Sequence, residues 1–401
     1  MRLPIVSPYL RPFRRDGALL FDNAVTGTLA PLPPIAGEVL AALWDPPTAS
    51  ANLDALDARH GIDTIRAAMR QLGGDGYLFG ERAEADHALQ GTLERGRPPV
   101  PFVDQIELTN RCPMRCGFCP RGIPDGILRP TGFMDLALFR HLLEQLHPEQ
   151  AHYRPLELHH LGESLLHPQV ADFVAAATAR GLPTEMSVNP SLLVPALGAA
   201  LLEAGLRRLV VSLDGMDDAT LVSIRGPAAR YDRAERNLDA LLARVATMAA
   251  PPQIVIQMID LARNRHQRDA FIARWGSTGL STVTAFVKDL DGADPETGAA
   301  SGRPLVQLCS YPWRSVVVLW DGRVVPCCRD ADAALVLGDL RTSSLAEIWD
   351  GFEVRRLREQ HRAGQFSCGH LCDRCDWRRE RFAAAMPDRH PTRAGEWPLA
   401  W

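Results

Sequence analysis

Apolar positions along the chain follow two rhythms, and the change from one to the other sets the expected architecture. In residues 1–85, apolar patches at Leu19, Leu20, Phe21 and Leu29 read as two short strands. Helical spacing then takes over at Ile35, Val39, Leu40 and Leu43, at Leu53 and Leu56, and at Ile62, Ile65, Met69 and Leu72. Side chains three and four apart share one helix face, so about three helices are expected here. Asp45-Pro46-Pro47 breaks the series, Gly73-Gly74 ends it, and the run Gly76-Tyr77-Leu78-Phe79 follows.

Proline at 98, 99 and 101 removes backbone donors and makes 91–103 a stiff connector. Beyond it, short apolar runs occur at 105–109, 156–161, 184–188, 208–212, 254–259 and 283–287. Helix-like stretches separate them, such as Leu136, Phe139, Leu142, Leu143 and Leu146 at a 3.6-residue period. Strand and helix alternating six times predict an α/β domain over 104–300, with a parallel sheet joined by right-handed crossovers. From about residue 301 the pattern changes again. Val316–Val318 with Leu319, and Val324 with Val325, flank Asp321-Gly322, a strong hairpin signal. A small cysteine-rich module is therefore expected over 301–380, with a tail at 381–401 that has no readable period.

Composition narrows the function. The 401 residues are 46% hydrophobic and 23% charged, enough for several packed domains. Lys and Arg number 44 against 48 Asp and Glu, so no basic surplus favours nucleic acid. No stretch of about 18 apolar residues and no signal peptide is visible, so a cytoplasmic protein with no membrane partner is expected. The nine cysteines fall into two groups, which in a reducing compartment read as metal ligation rather than disulfides.

The first group is Cys112, Cys116 and Cys119, with spacing C-x3-C-x2-C directly after a strand-like run. It places three thiolates within reach of one metal centre. Three ligands are one fewer than a closed zinc or Fe–S site uses, so an open coordination position is implied. A structural zinc site that draws a fourth ligand from elsewhere is the alternative. The loop, including Phe118 before its third cysteine, resembles the signature of the radical S-adenosylmethionine (radical SAM) enzymes. That resemblance implies a partial (β/α)6 barrel and a [4Fe–4S] cluster whose fourth iron binds S-adenosylmethionine. It also implies reductive cleavage of that cofactor to a 5′-deoxyadenosyl radical, and an electron donor such as flavodoxin or ferredoxin.

Further segments fall at expected strand ends. His160-Leu161-Gly162-Glu163-Ser164 resembles the family's Gly-Gly-Glu-Pro segment, departing from it at Leu161 and Ser164. The resemblance assigns Gly162 and Glu163 to the methionine amine. Ser187-Val188-Asn189-Pro190 resembles the segment near the cofactor that would place Asn189 beside it. Ser212-Leu213-Asp214-Gly215 with Ile224-Arg225-Gly226 resembles a pair found in the peptide-modifying branch, with Ser212 toward ribose and Arg225 toward the methionine carboxylate. Phe118 would pack near adenine. Gln257 faces either substrate or the barrel core.

In the second group, seventeen residues separate Cys309 from Cys327, and Cys372-x2-Cys375 comes later. Four thiolates suit one closed site, either Fe–S or zinc. The layout resembles Twitch, the shortened relative of the SPASM auxiliary-cluster module, and implies one auxiliary [4Fe–4S] cluster. Cys328 and Cys368 are left over as substitute ligands, buried thiols or hydrogen donors. The N-terminal order of strands and helices resembles a winged-helix domain, related to the pyrroloquinoline quinone chaperone, that binds leader peptides. A peptide substrate is therefore expected. The alternatives are a small polar substrate such as an aminocyclitol in natural-product biosynthesis, or a non-catalytic metal-binding protein.

Overall fold

A computed structural model of the chain describes residues 3–288, apart from 16, 17, 27, 45, 46, 124 and 125, together with 308–373 and 375. The chain divides into two compact units, Met1–Arg97 with Gly302–Trp313 and Arg358–Trp401, and Pro98–Ser301 with Arg314–Leu357.

The first unit holds a three-stranded antiparallel sheet, Leu10–Arg15, Ala18–Asn23 and Thr28–Ala30, and a short antiparallel pair, Ile5–Val6 with Leu78–Phe79. Helices Pro34–Trp44, Ala49–His60, Ile62–Gly74 and Arg82–Arg95 accompany them. The three periodic segments form the first three helices, and Leu10, Phe21, Val39, Leu40, Ile65 and Leu72 make their common core. The sheet is larger than the two strands expected. Leu10–Arg15 carries three arginines, so its strand character comes from pairing with Ala18–Asn23 rather than from an apolar pattern.

Among the described residues the second unit is built on nine strands: β1 (Phe102–Ile106), β2 (Leu156–Glu157), β3 (Thr184–Val188), β4 (Arg208–Ser212), β5 (Gln253–Ile259), β6 (Val283–Lys288), β7 (Ser315–Val318), β8 (Arg323–Val325) and β9 (Gly338–Asp339). Their order in the sheet is β6-β5-β4-β3-β2-β1-β7-β8-β9. Strands β1 to β6 are neighbours in chain order and parallel, with helical crossovers between them, which fits the expected partial barrel. Alternation along β3 shows the two faces. Thr184, Met186 and Val188 are buried, whereas Glu185 and Ser187 are half-buried on the opposite face. Apolar helix faces supply the remaining core, as where the Phe139 and Phe173 rings meet at 4.9 Å.

Two boundaries differ from expectation. Of the connector expected at 91–103, only 96–101 lies between regular elements, because Leu93 packs into the first unit and Glu94 accepts the Trp313 indole N–H at 2.8 Å. The segment expected to form a separate module from 301 is shared between the units, and β7 pairs in parallel with β1. The hairpin is present: β7 and β8 pair antiparallel around Asp321-Gly322, with Gly322 at φ +89°. The tail expected at 381–401 lies outside the described residues. Among the described residues no helix is long and apolar enough to cross a membrane.

Candidate active site

The cysteine loop leaves the end of β1 under tight control. Thr109 Oγ1 donates to the Gly132 carbonyl at 2.6 Å, and Asn110 both donates to the Pro130 carbonyl and accepts from the Gly132 N–H. Cys116 is buried, and Cys112 and Cys119 are half-buried. Among the described residues no three His, Cys, Asp or Glu side chains converge on a single metal-ion position.

Burial dominates the electrostatics. It pushes the Cys112 thiol up to about 12, with Glu163, Cys116 and Cys119 adding to the shift. Burial also raises Cys116, against the pull of Arg225. The guanidinium of Arg225 donates through Nε to Asp214 Oδ2 at 2.7 Å, and its Nη1 stands 3.9 Å from Cys116 Sγ. The same group lies 5.8 Å from the centroid of the Phe118 ring. One cation therefore serves the thiol, the aromatic ring and a buried carboxylate at once.

Glu163 stands on the other side of the loop. Its backbone N–H donates to the Arg111 carbonyl at 2.8 Å, tying the segment after β2 to the cysteine loop. Gly162 is required for that approach: a Cβ there would lie 1.9 Å from the Thr109 carbonyl oxygen. The buried Glu163 carboxyl accepts the Asn189 N–H at 2.8 Å and the Leu165 N–H at 3.2 Å. Burial raises its pKa to about 7 despite these bonds and the Arg225 charge. Asn189 Oδ1 caps the turn after β3 by accepting the Ser191 N–H, but among the described residues its buried Nδ2 has no partner. Ser212, at the end of β4, accepts from Gln257 Nε2 at 3.1 Å, leaving its own hydroxyl hydrogen available.

The nine site residues expected in the barrel thus cluster at the C-terminal ends of β1 to β4. Asp214 carried no expected role, since an Asp-Gly pair is also a plain turn, yet it is fully buried and holds both Arg225 and the Ile259 N–H. The bidentate pair of Arg129 with Glu107, at 2.7 and 2.5 Å, was equally unmarked in the sequence. Of the auxiliary cysteines, Cys309, Cys368, Cys372 and Cys375 fall in the first unit, and Cys327 and Cys328 follow β8 in the second.

Two comparisons give this arrangement its class. Residues 106–250 match the radical SAM superfamily, and residues 309–376 match SPASM, an iron–sulfur cluster-binding domain. The chain therefore carries both domains and is a radical SAM enzyme, with a [4Fe–4S] cluster, S-adenosylmethionine and auxiliary Fe–S ligation as its cofactor set. It is 27% identical over 294 residues to the PqqA peptide cyclase of Xanthomonas campestris, covering 64% of this chain and 75% of that one. It is 21% identical to the S-adenosyl-L-methionine-dependent 2-deoxy-scyllo-inosamine dehydrogenase of Niallia circulans, covering 68% and 91%. Among solved structures, SuiB of Streptococcus suis bound to S-adenosylmethionine superposes with a TM-score of 0.48 at 11% identity, covering 87% of this chain and 88% of that one.

The residues present fit the cofactors. Three thiols share one loop, Cys116 being buried with an arginine beside it, and among the described residues a buried carboxyl without an ion pair and an orphaned amide nitrogen stand where a zwitterionic ligand would satisfy both.

Proposed function

We propose that this enzyme modifies a peptide by radical chemistry initiated at Cys112, Cys116 and Cys119. The observation that carries the radical part is the placement of Glu163, Asn189 and Arg225 around the cysteine loop. When bound, the cluster and S-adenosylmethionine supply a 5′-deoxyadenosyl radical by one-electron reductive cleavage. Glu163 is suited to receive the ammonium of the methionine, because a buried carboxylate facing a cation forms a strong charge-assisted bond. Asn189 Nδ2 offers a donor to the same ligand, and Ser212 offers its hydroxyl to ribose. Gly162 sets the backbone close to the loop, and Phe118 flanks the adenine. Arg225, held by Asp214 through Nε and Nη2, turns Nη1 toward the Cys116 thiolate, and that same Nη1 is the group offered to the methionine carboxylate.

Similarity to the PqqA peptide cyclase supports the peptide substrate, and the strand and helix order of the first unit supports a winged-helix-like, leader-peptide-binding role for residues 1–90. Cys309, Cys327, Cys372 and Cys375 are proposed to hold one auxiliary [4Fe–4S] cluster, with Cys328 and Cys368 in reserve. An acidic one-electron carrier of the flavodoxin or ferredoxin kind, in the cytoplasm, would supply the electron. A second reading, oxidation of a small polar molecule, is favoured by the similarity to the inosamine dehydrogenase.

The test is anaerobic reconstitution followed by reduction in the presence of S-adenosylmethionine. Formation of 5′-deoxyadenosine should vanish in Cys116→Ala, and its persistence would overturn the radical assignment. Mass spectrometry of peptides encoded beside the gene separates the substrates: a mass change or deuterium uptake in a peptide supports the first reading. Turnover of an aminocyclitol with no peptide turnover supports the second.

A further inference from the structure

Among the described residues Ala333 is the one residue other than glycine with a positive φ, +56°. An L side chain is disfavoured in that conformation, so the turn around it has to be held by its surroundings. Asp330, wholly buried, holds it: the carboxylate accepts the Ala334 and Leu335 N–H groups at 2.7 and 2.9 Å. The Asp330 N–H donates to the Cys327 carbonyl at 3.2 Å, and Cys328 packs against Val317, Leu319 and Val325. The segment that bears Cys327 and Cys328 is thereby bent so that Ala331 and Asp332 meet residues 128 and 129.

At that meeting Arg129 is gripped from two sides. Asp332 Oδ1 accepts the backbone N–H groups of Leu128 and Arg129 at 2.7 and 2.8 Å, and the Ala331 carbonyl accepts the Arg129 Nε–H at 2.8 Å. Both Nη atoms of the same guanidinium bond the buried Glu107. The 128–132 stretch is tied in turn to the residues that lead into Cys112. Asn110 holds the Pro130 carbonyl at 2.8 Å and the Gly132 N–H at 3.0 Å. Glu163 is seated on that leading stretch, through its own N–H on the Arg111 carbonyl and the close approach of Gly162 to Thr109. A continuous run of hydrogen bonds and packed backbone therefore connects Cys327 to Glu163 within the second unit. Apolar side chains of similar volume would fill the space of a buried ion pair at no loss of stability. What the arginine adds is direction, since its planar fork fixes Glu107 while Nε and the backbone N–H fix Ala331 and Asp332.

We propose that Arg129 and Asp332 are positioning residues that couple the auxiliary cysteine segment to the S-adenosylmethionine site. Cys327 or Cys328, once ligated, fixes the segment; the clasp of Asp332 and Arg129 fixes residues 128–132; and Asn110 passes that order to the stretch on which Glu163 sits. Coupling of this kind is reciprocal, so S-adenosylmethionine also favours retention of iron by the auxiliary cysteines. The inference rests on the roles proposed above for Glu163 and the auxiliary cysteines.

The test is a double-mutant cycle on S-adenosylmethionine affinity, measured by calorimetry on the full-length enzyme after anaerobic reconstitution. Replacing both Cys327 and Cys328 by alanine should weaken binding about tenfold in the parent. The same replacement should change nothing further in Asp332→Ala, which already lacks the clasp and is itself weakened about tenfold. Asp332→Asn keeps an oxygen acceptor for both N–H groups and should bind as the parent does. Arg129→Lys keeps a cation beside Glu107 but loses the Nε bond to Ala331, and its weakened binding is the readout that survives if Asp332→Ala does not fold. Additive effects of the cysteine and Asp332 substitutions, or parental affinity in Asp332→Ala and Arg129→Lys, would overturn the coupling and leave the cofactor reading intact. Absence of binding in the parent would overturn both.

Discussion

Asp214 accepts the Arg225 Nε–H at 2.7 Å in a setting where the carboxylate is wholly buried and the guanidinium nearly so. Removing one partner of a buried pair strands the other, at a cost of ~3–5 kcal/mol. Asp214→Ala should therefore lower the unfolding free energy of the cofactor-free chain by about that amount in a urea titration, and reduce the iron retained after reconstitution. A loss under ~1 kcal/mol would show the pair to be dispensable.

Glu163 imposes a pH dependence of known sign. Its folded pKa, about 7, lies above its ordinary value of 4.5, so between those values the folded chain binds more protons than the unfolded one. Stability should thus fall as pH rises from about 4.5 to about 7, by ~3 kcal/mol in all from this group. Glu163→Gln removes the contribution. Identical pH profiles of urea unfolding for the two proteins would exclude it.

Ligand binding should reverse that shift. A cation brought against Glu163 favours its ionised form. At pH 6, where the free carboxyl is mostly protonated, binding of S-adenosylmethionine should release a proton. Calorimetry in buffers of different ionisation enthalpy reads this directly, and a binding heat independent of buffer would place the ammonium elsewhere.

Two glycines in the same region should behave oppositely. Gly162→Ala drives a Cβ into the Thr109 carbonyl, whereas a Cβ at Gly117 meets nothing within 4 Å. The first substitution should cost ~1–3 kcal/mol and lower cluster occupancy, and the second should stay within ~0.5 kcal/mol of the parent. Melting temperature and iron content together decide it.

Local pattern made part of this structure legible. β3 and β4 occupy the runs 184–188 and 208–212, because alternation and β-branched residues act over a few neighbours. The run at 156–161 forms a strand only over Leu156–Glu157. Beyond it the chain turns, where Ser164 Oγ bonds the Leu158 carbonyl and His159 and His160 engage neighbouring strands. The spacing of Cys112, Cys116 and Cys119 marks a candidate metal loop, and the residues proposed beside it come from resemblance to family segments at strand ends rather than from spacing. Asp214, the Glu107 and Arg129 pair, and the relay from Glu157 through Gln105 to His160 could not be anticipated, since each depends on contacts between segments distant in sequence.

The pairing of β1 with β7 carries a consequence for biosynthesis. Val103 waits for Val316, so as the chain leaves the ribosome one side of the first barrel strand stays open until more than half of the protein has followed it. Pairings of such long sequence separation close late, and open strand edges recruit other chains. Completion of the barrel and arrival of the segment bearing Cys327 and Cys328 are one event, so a nascent chain halted before residue 315 would expose a sticky edge.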